Sequence, residues 1–125
     1  MADLYKEELM DHYKNPRNYG ELKDSDFSAE DDNPACGDYL SIQGKLNGRT
    51  VSKLNFMGKG CVLSQATASI LFSKYEGKGI GEILSLTKED ILKMIGIDIG
   101  PVRIKCVLLP LQVLQKALKP FSKNL

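Results

Sequence analysis

Leu40-Ser41-Ile42-Gln43-Gly44-Lys45-Leu46-Asn47-Gly48-Arg49-Thr50-Val51-Ser52-Lys53-Leu54-Asn55-Phe56-Met57-Gly58-Lys59-Gly60-Cys61 is the stretch that decides the fold. Leu40, Ile42, Gly44 and Leu46 alternate with polar residues, the period of a strand with one face buried. Asn47-Gly48 is a hairpin signal, because both residue types tolerate positive φ. Residues 50–57 then read as the return strand, with Leu54 and Phe56 on one face. Gly58-Lys59-Gly60 ends it. From Cys61 onward the period changes to that of a helix, with Ala66, Ile70, Leu71 and Tyr75 on one stripe.

Outward from the hairpin, other elements follow. Leu4, Tyr5, Leu9 and His12 or Tyr13 predict a helix over 3–14, which Asn15-Pro16 stops, since the residue before proline avoids the helical region. Residues 17–38 carry few large apolar groups and many acids. They predict a mobile surface segment with a short strand near Asp26–Glu30. Downstream, Gly77 and Gly79 end the helix begun at Cys61. Thr87 and Asp90 form a capping-box pattern ahead of Ile91, Leu92 and Ile95. Gly100-Pro101 restarts the chain into a last helix over about 102–118, which Pro110 is expected to kink or split. The order of helix, loop, hairpin and helices argues for an α+β fold, a small antiparallel sheet of about three strands covered by helices.

The chain has 125 residues, 42% hydrophobic and 26% charged, which suits one globular domain over 1–125. Its 17 Lys and Arg against 16 Asp and Glu leave a net charge of +1, with no basic excess for nucleic acid. Its apolar runs are too short to cross a membrane. The start of the sequence shows no basic, apolar and small-residue order of a signal peptide, so a cytoplasmic location is expected.

Three cysteines are an odd number for a disulfide framework. They are open to three readings: buried small hydrophobes, a reactive thiol, or ligands of a soft metal. Cys36 lies in the turn-forming string Asn33-Pro34-Ala35-Cys36-Gly37-Asp38. Cys61 sits where a strand meets a helix N-terminus, and Cys106 follows Arg103 and Lys105 early in the last helix. Helix dipoles and neighbouring cations favour thiolate at such positions. The hairpin brings Cys36 and Cys61 to the same end of the sheet, but no spacing shows that Cys106 joins them. Asp38 is also ordinary turn chemistry, and on residues alone that reading is preferred. His12, the single histidine, reads as a packed or capping residue. Gly77-Lys78-Gly79-Ile80-Gly81 lacks the Gly-Lys-Ser/Thr of a phosphate loop and reads as an inter-helix turn. Lys116, Lys119 and Lys123 read as a solvated face.

Taken together, Asn33-Pro34-Ala35-Cys36-Gly37-Asp38, Gly58-Lys59-Gly60-Cys61, the Cys106 helix and Asp11-His12-Tyr13-Lys14-Asn15-Pro16-Arg17-Asn18 resemble the IscU/NifU/SufU family of iron–sulfur scaffolds. The resemblance runs over nearly the whole chain. It implies a SufE/IscU-like α+β fold and a scaffold role: sulfur arrives as persulfide from a cysteine desulfurase, joins iron, and leaves as a cluster for apo acceptor proteins. It implies Cys36, Asp38, Cys61 and Cys106 as the ligand set, a 2Fe-2S cluster as cargo, and Cys106 as persulfide acceptor. The chain would act as a monomer or homodimer and as a carrier rather than a turnover enzyme. Lys105 stands where many IscU-type members have histidine. A protonated lysine has no lone pair for metal, and lysine here is typical of the SufU branch, whose members bind zinc and accept sulfur. A zinc-bound sulfurtransferase is therefore the alternative. The chain lacks the long insertion of many SufU proteins, and Ile99-Gly100-Pro101-Val102-Arg103 departs from the Leu-Pro-Pro-Val-Lys string of IscU proteins.

Overall fold

The computed structural model describes residues 2–34 and 37–124. Helix α1 (Ala2–Lys14) precedes three strands, β1 (Phe27–Asn33), β2 (Asp38–Asn47) and β3 (Thr50–Lys59). Helices α2 (Val62–Tyr75), α3 (Ile80–Leu84), α4 (Lys88–Ile95) and α5 (Ile104–Leu118) follow, and a 3-10 turn over Lys119–Asn124 ends the described chain. The strands form an antiparallel meander in the order β1-β2-β3. Helix α5 packs on β1 and β2, α2 packs on β3 and α5, and α1 packs on α2. The expected α+β class is the observed one.

The alternation read in the sequence sets the sheet's buried face. In β2, Asp38, Leu40, Ile42 and Gly44 are buried and the residues between them are half-buried. In β3, Val51, Leu54 and Phe56 are buried. Val51 and Leu54 are three apart, which simple alternation forbids. The register slips between Lys45 and Leu46, which pair with Lys53 and Val51, so Ser52 is an extra residue. This bulge resets the pleat and turns both apolar side chains inward. Gly44 faces Phe27 across the strands. The Phe27 ring covers Gly44 so closely that a Cβ there would overlap it.

Four features depart from the sequence reading. The hairpin turn lies one residue later than Asn47-Gly48, because Asn47 pairs with Thr50 and leaves Gly48-Arg49 between the strands. Gly48 has φ +63° and Arg49 does not share the positive region, which is the demand of a turn with glycine first. Strand β1 runs on to Asn33 and pairs fully with β2. Its acidic residues Glu30, Asp31 and Asp32 are exposed to solvent, which an edge strand tolerates. Helix α5 begins at Ile104 and continues as one element through Pro110. Burial of its Val107, Leu109, Leu111 and Leu114 against the sheet and α2 outweighs the single backbone hydrogen bond a proline removes. Finally, Ile80 and Gly81, which the sequence reading puts at the end of an inter-helix turn, open a short helix, Ile80–Leu84, that buries Ile80 and Ile83.

The segment read as mobile is tied down as well. Its apolar content is low, but its backbone is used. Phe56 N–H donates to the Asn18 carbonyl at 2.8 Å and Gly20 N–H donates to the Phe56 carbonyl at 2.9 Å, so residues 18–20 cover the outer edge of β3. The Gln43 side chain accepts from Leu22 N–H at 2.9 Å and the Asp26 carboxyl from Leu46 N–H at 2.7 Å.

Helix α2 is the central element. Every residue from Leu63 to Phe72 is buried, as expected for a helix enclosed on all sides. Its buried polar residues serve as fasteners. Ser69 Oγ lies 2.7 Å from His12 Nδ1 and accepts from Arg17 N–H at 2.7 Å. Asp11 accepts from Arg17 Nη2 at 2.6 Å and from Asn15 Nδ2 at 3.2 Å. Asn18, at φ +60°, donates to the Leu54 carbonyl at 2.7 Å and to Glu76 Oε2 at 3.0 Å. The string from Asp11 to Asn18 is thus a clasp that holds the end of α1 on α2 and β3. His12 is packed, as its pattern suggests.

This clasp has a pH dependence of known sign. Burial lowers the His12 pKa from its ordinary 6.5, and the Arg17 charge adds to that; Glu8 and Asp11 oppose it weakly. The unfolded chain therefore takes up the proton at higher pH than the folded one. The contribution to stability is complete above the unfolded pKa and is lost as pH falls from there through the folded value. The urea midpoint is expected to drop between about pH 7.5 and about pH 5.5, with a visibly smaller drop in His12→Gln. Parallel profiles for the two proteins would rule out His12 as the cause.

Candidate metal centre

Asp38 opens β2 and is buried, with 1% of its surface exposed. A buried carboxyl needs donors, and the nearest is the start of α2. Asp38 Oδ1 accepts from the Cys61 backbone N–H at 2.8 Å, while Oδ2 lies 4.0 Å from Cys61 Sγ. The turn reading preferred from sequence alone is therefore incomplete. Asp38 is a strand residue whose side chain spans from the sheet to a helix.

Gly60 makes that span possible. It has φ +141°, a region closed to most L-residues, and a Cβ at this position would overlap the Asp38 carboxyl. The chain leaves β3 through Gly60 and places Cys61 at the N-cap of α2. Cys61 is half-buried, and Ser64 Oγ donates to its carbonyl at 3.2 Å.

Cys106 comes from a third direction. It lies in the first turn of α5 and is 1% exposed. Its backbone N–H donates to the Arg103 carbonyl at 3.1 Å. The side-chain amide of Asn33, the last residue of β1, donates to Cys106 Sγ at 3.7 Å. Asn33 pairs directly with Asp38 in the β1–β2 register.

The structure therefore converges what sequence spacing left open. One carboxyl oxygen of Asp38 and the sulfurs of Cys61 and Cys106 all lie within 4.8 Å of one another. A tetrahedral ion with bonds of about 2.0–2.3 Å spaces its ligand atoms roughly 3.5–4 Å apart, so a small inward adjustment closes this set around one ion. Soft sulfur and hard oxygen donors together suit zinc or iron. Neither α2 nor α5 has an acidic residue in its first turn. Both helices present their positive ends to this centre, which favours an anionic metal–sulfur group. The residues present fit such a group.

Cys36 lies outside the described residues. Lys105 is exposed beside Cys106, and the closely spaced set does not include it. His12 is engaged with Ser69 and is not part of the centre. Two contributors escaped sequence reasoning. Asn33 reaches a residue 73 positions away, which no local pattern encodes. In the sequence Gly60 marks a strand end and belongs to the Gly58-Lys59-Gly60-Cys61 string; its close approach to the Asp38 carboxyl appears only in the fold, although a glycine directly before a candidate ligand is a signal for one.

The geometry yields a direct expectation. Asp38→Ala removes the acceptor of the Cys61 N–H, and leaving that donor unsatisfied costs about 1–3 kcal/mol. Hydrogen exchange at the Cys61 amide should rise by roughly tenfold or more, and Gly60→Ala should do the same by displacing the carboxyl. An unchanged Cys61 exchange rate in both variants would contradict the described contact.

The family model described as the NifU-like N terminal domain matches residues 4–125. The chain is similar to the zinc-dependent sulfurtransferase SufU of Bacillus subtilis, at 38% identity over 90% of this chain and 88% of that protein. It is also similar to the iron-sulfur cluster assembly scaffold protein IscU of Aquifex aeolicus, at 35% identity over 97% of this chain and 78% of that one. Its fold matches the crystal structure of a putative iron-sulfur cluster assembly scaffold protein for the SUF system from Fervidobacterium islandicum. The TM-score is 0.78 at 24% identity, over 90% of this chain and 94% of that chain. Among the described residues no helix is long and apolar enough to cross a membrane.

Proposed function

From the premise that this chain belongs to the NifU-like N-terminal domain family, we propose that it is a scaffold for assembling an iron–sulfur cluster. The observation that carries the proposal is the convergence of Asp38, Cys61 and Cys106 from three separate elements within 4.8 Å. Cys36 is proposed as the fourth ligand, and residues 1–125 as one domain. Three thiolates and one carboxylate make a less symmetric shell than four thiolates. Exchange of the harder oxygen ligand offers a way out for the cargo, so the shell suits transient holding.

Sulfur would be delivered by a cysteine desulfurase. A thiolate of this chain attacks the outer sulfur of the enzyme's persulfide, and the enzyme's own thiolate leaves. Transfer conserves the oxidation state of the outer sulfur and moves it to the acceptor cysteine. Cys106 is the proposed acceptor on the basis of the family resemblance. With Cys106 buried and Cys61 half-buried, this step requires a docked desulfurase to open the approach to α5. An external two-electron reductant, such as a dithiol or a small electron-transfer protein, would reduce that outer sulfur to sulfide and release the Cys106 thiolate. The sulfide would join iron, apo iron–sulfur proteins would take the cluster, proposed to be 2Fe-2S, and the chain would act as a carrier in the cytoplasm.

A second reading has a specific observation behind it. The similarity to a zinc-dependent sulfurtransferase, with Lys105 beside Cys106, favours a chain that holds zinc and relays persulfide sulfur. Two thiolates, a third from Cys36 and one carboxylate would fill a tetrahedral zinc shell.

Anaerobic reconstitution with iron and sulfide separates the two. The scaffold reading expects stoichiometric iron and acid-labile sulfide, and cluster loss to an apo acceptor that is slowed about tenfold in Asp38→Ala, the scale of perturbing a ligand environment. One tightly held zinc per chain, no bound sulfide, and stimulation of a desulfurase that disappears in Cys36→Ala would replace it with the sulfurtransferase.

A further inference from the structure

We propose that Asn33 is a positioning residue for the Cys106 sulfur, holding Sγ toward Asp38 and Cys61 and drawing electron density from it when metal is bound. The inference rests on the metal-site reading above and assigns a role that the ligand set alone does not contain.

Three observations carry it. The Asn33 amide nitrogen lies 3.7 Å from Cys106 Sγ, within reach of an N–H to sulfur hydrogen bond. Asn33 is half-buried and stands opposite Asp38 in the sheet register. One pair of cross-strand neighbours thus supplies both the carboxyl of the centre and a donor to its sulfur. Helix α5 packs on β1, so this amide spans the interface between the sheet and the helix that delivers Cys106.

The chemistry selects the orientation. An amide offers N–H donors on one side and a carbonyl oxygen on the other. Turned over, the oxygen would face the lone pairs of an electron-rich sulfur and repel it. Hydrogen bonds to ligand sulfurs tune metal–sulfur centres, and groups that orient a ligand typically govern metal affinity by 10–100-fold. Asn33 is placed to do both. Donation lowers the energy of the sulfur lone pairs, so a thiolate-to-metal charge-transfer band should lie at higher energy with Asn33 than without it.

Cobalt(II) added anaerobically to the apo chain supplies the spectroscopic probe. Asn33→Leu keeps the side-chain shape and removes the donor. Asn33→Ala removes both, and it carries the comparison if circular dichroism shows that the leucine variant does not fold. The expected result is a charge-transfer band shifted to lower energy, with cobalt affinity reduced by about tenfold. Band energy and affinity equal to the parent would overturn the proposal while leaving the metal centre standing. Lower affinity with an unmoved band would mark a purely structural role and would also overturn it. A parent chain with no thiolate-to-cobalt band would remove the metal-site reading itself, and this inference with it.

Discussion

The hydrogen bond from the Cys61 backbone to the buried carboxyl of Asp38 joins the first residue of β2 to the cap of α2. Much of the candidate centre depends on it. A carboxyl enclosed this fully is costly unless donors satisfy it, and here the donor is the amide of a candidate ligand. The same contact fixes where α2 begins, because the chain must pass through Gly60 at φ +141° to place that amide. It also sets the distance between the oxygen and the first sulfur. The second sulfur is brought in by α5, which is held against β1 and β2 by its apolar face. Sheet, buried helix and last helix each contribute one donor, so the centre is a property of the packed fold and not of any local motif.

A second set of contacts makes this packing definite. The run from Asp11 to Asn18 contains no donor of the centre, yet its side chains clasp the end of α1 to α2 and β3. Arg17 both reads the Asp11 carboxyl, whose pKa it lowers through that hydrogen bond, and presents its backbone to Ser69. A string that looks like a recognition signature in the sequence is thus explained by structure. Its residues locate the helix at whose N-terminus Cys61 stands.

The sheet and most helices were legible because their signals are local. Leu40, Ile42, Leu54 and Phe56 alternate, Thr87 and Asp90 cap α4 as the pattern indicated, and the period changes near Cys61. What was not legible depends on partners distant in sequence. The covering of β3 by residues 18–20 is made by backbone, which carries no compositional trace. Strand β1 extends through acids because its pairing with β2 needs only main-chain groups and its acidic side chains can face solvent. Pro110 sits inside an unbroken α5 because burial along that helix outweighs one missing bond. For the site, the cysteines and Asp38 could be singled out as residue types. Their convergence, the preference of Asp38 for a helix amide over a turn, and the contact of Asn33 with Cys106 could not be.

The central claim is that oxygen from Asp38 and sulfur from the cysteines bind one metal together. X-ray absorption at the zinc edge tests this most directly, on the zinc-loaded chain beside its Asp38→Ala variant. The account predicts sulfur scatterers at about 2.3 Å with a lighter one at about 2.0–2.2 Å, and a change in the lighter shell in the variant. A shell without sulfur, or one identical in the two proteins, would contradict it.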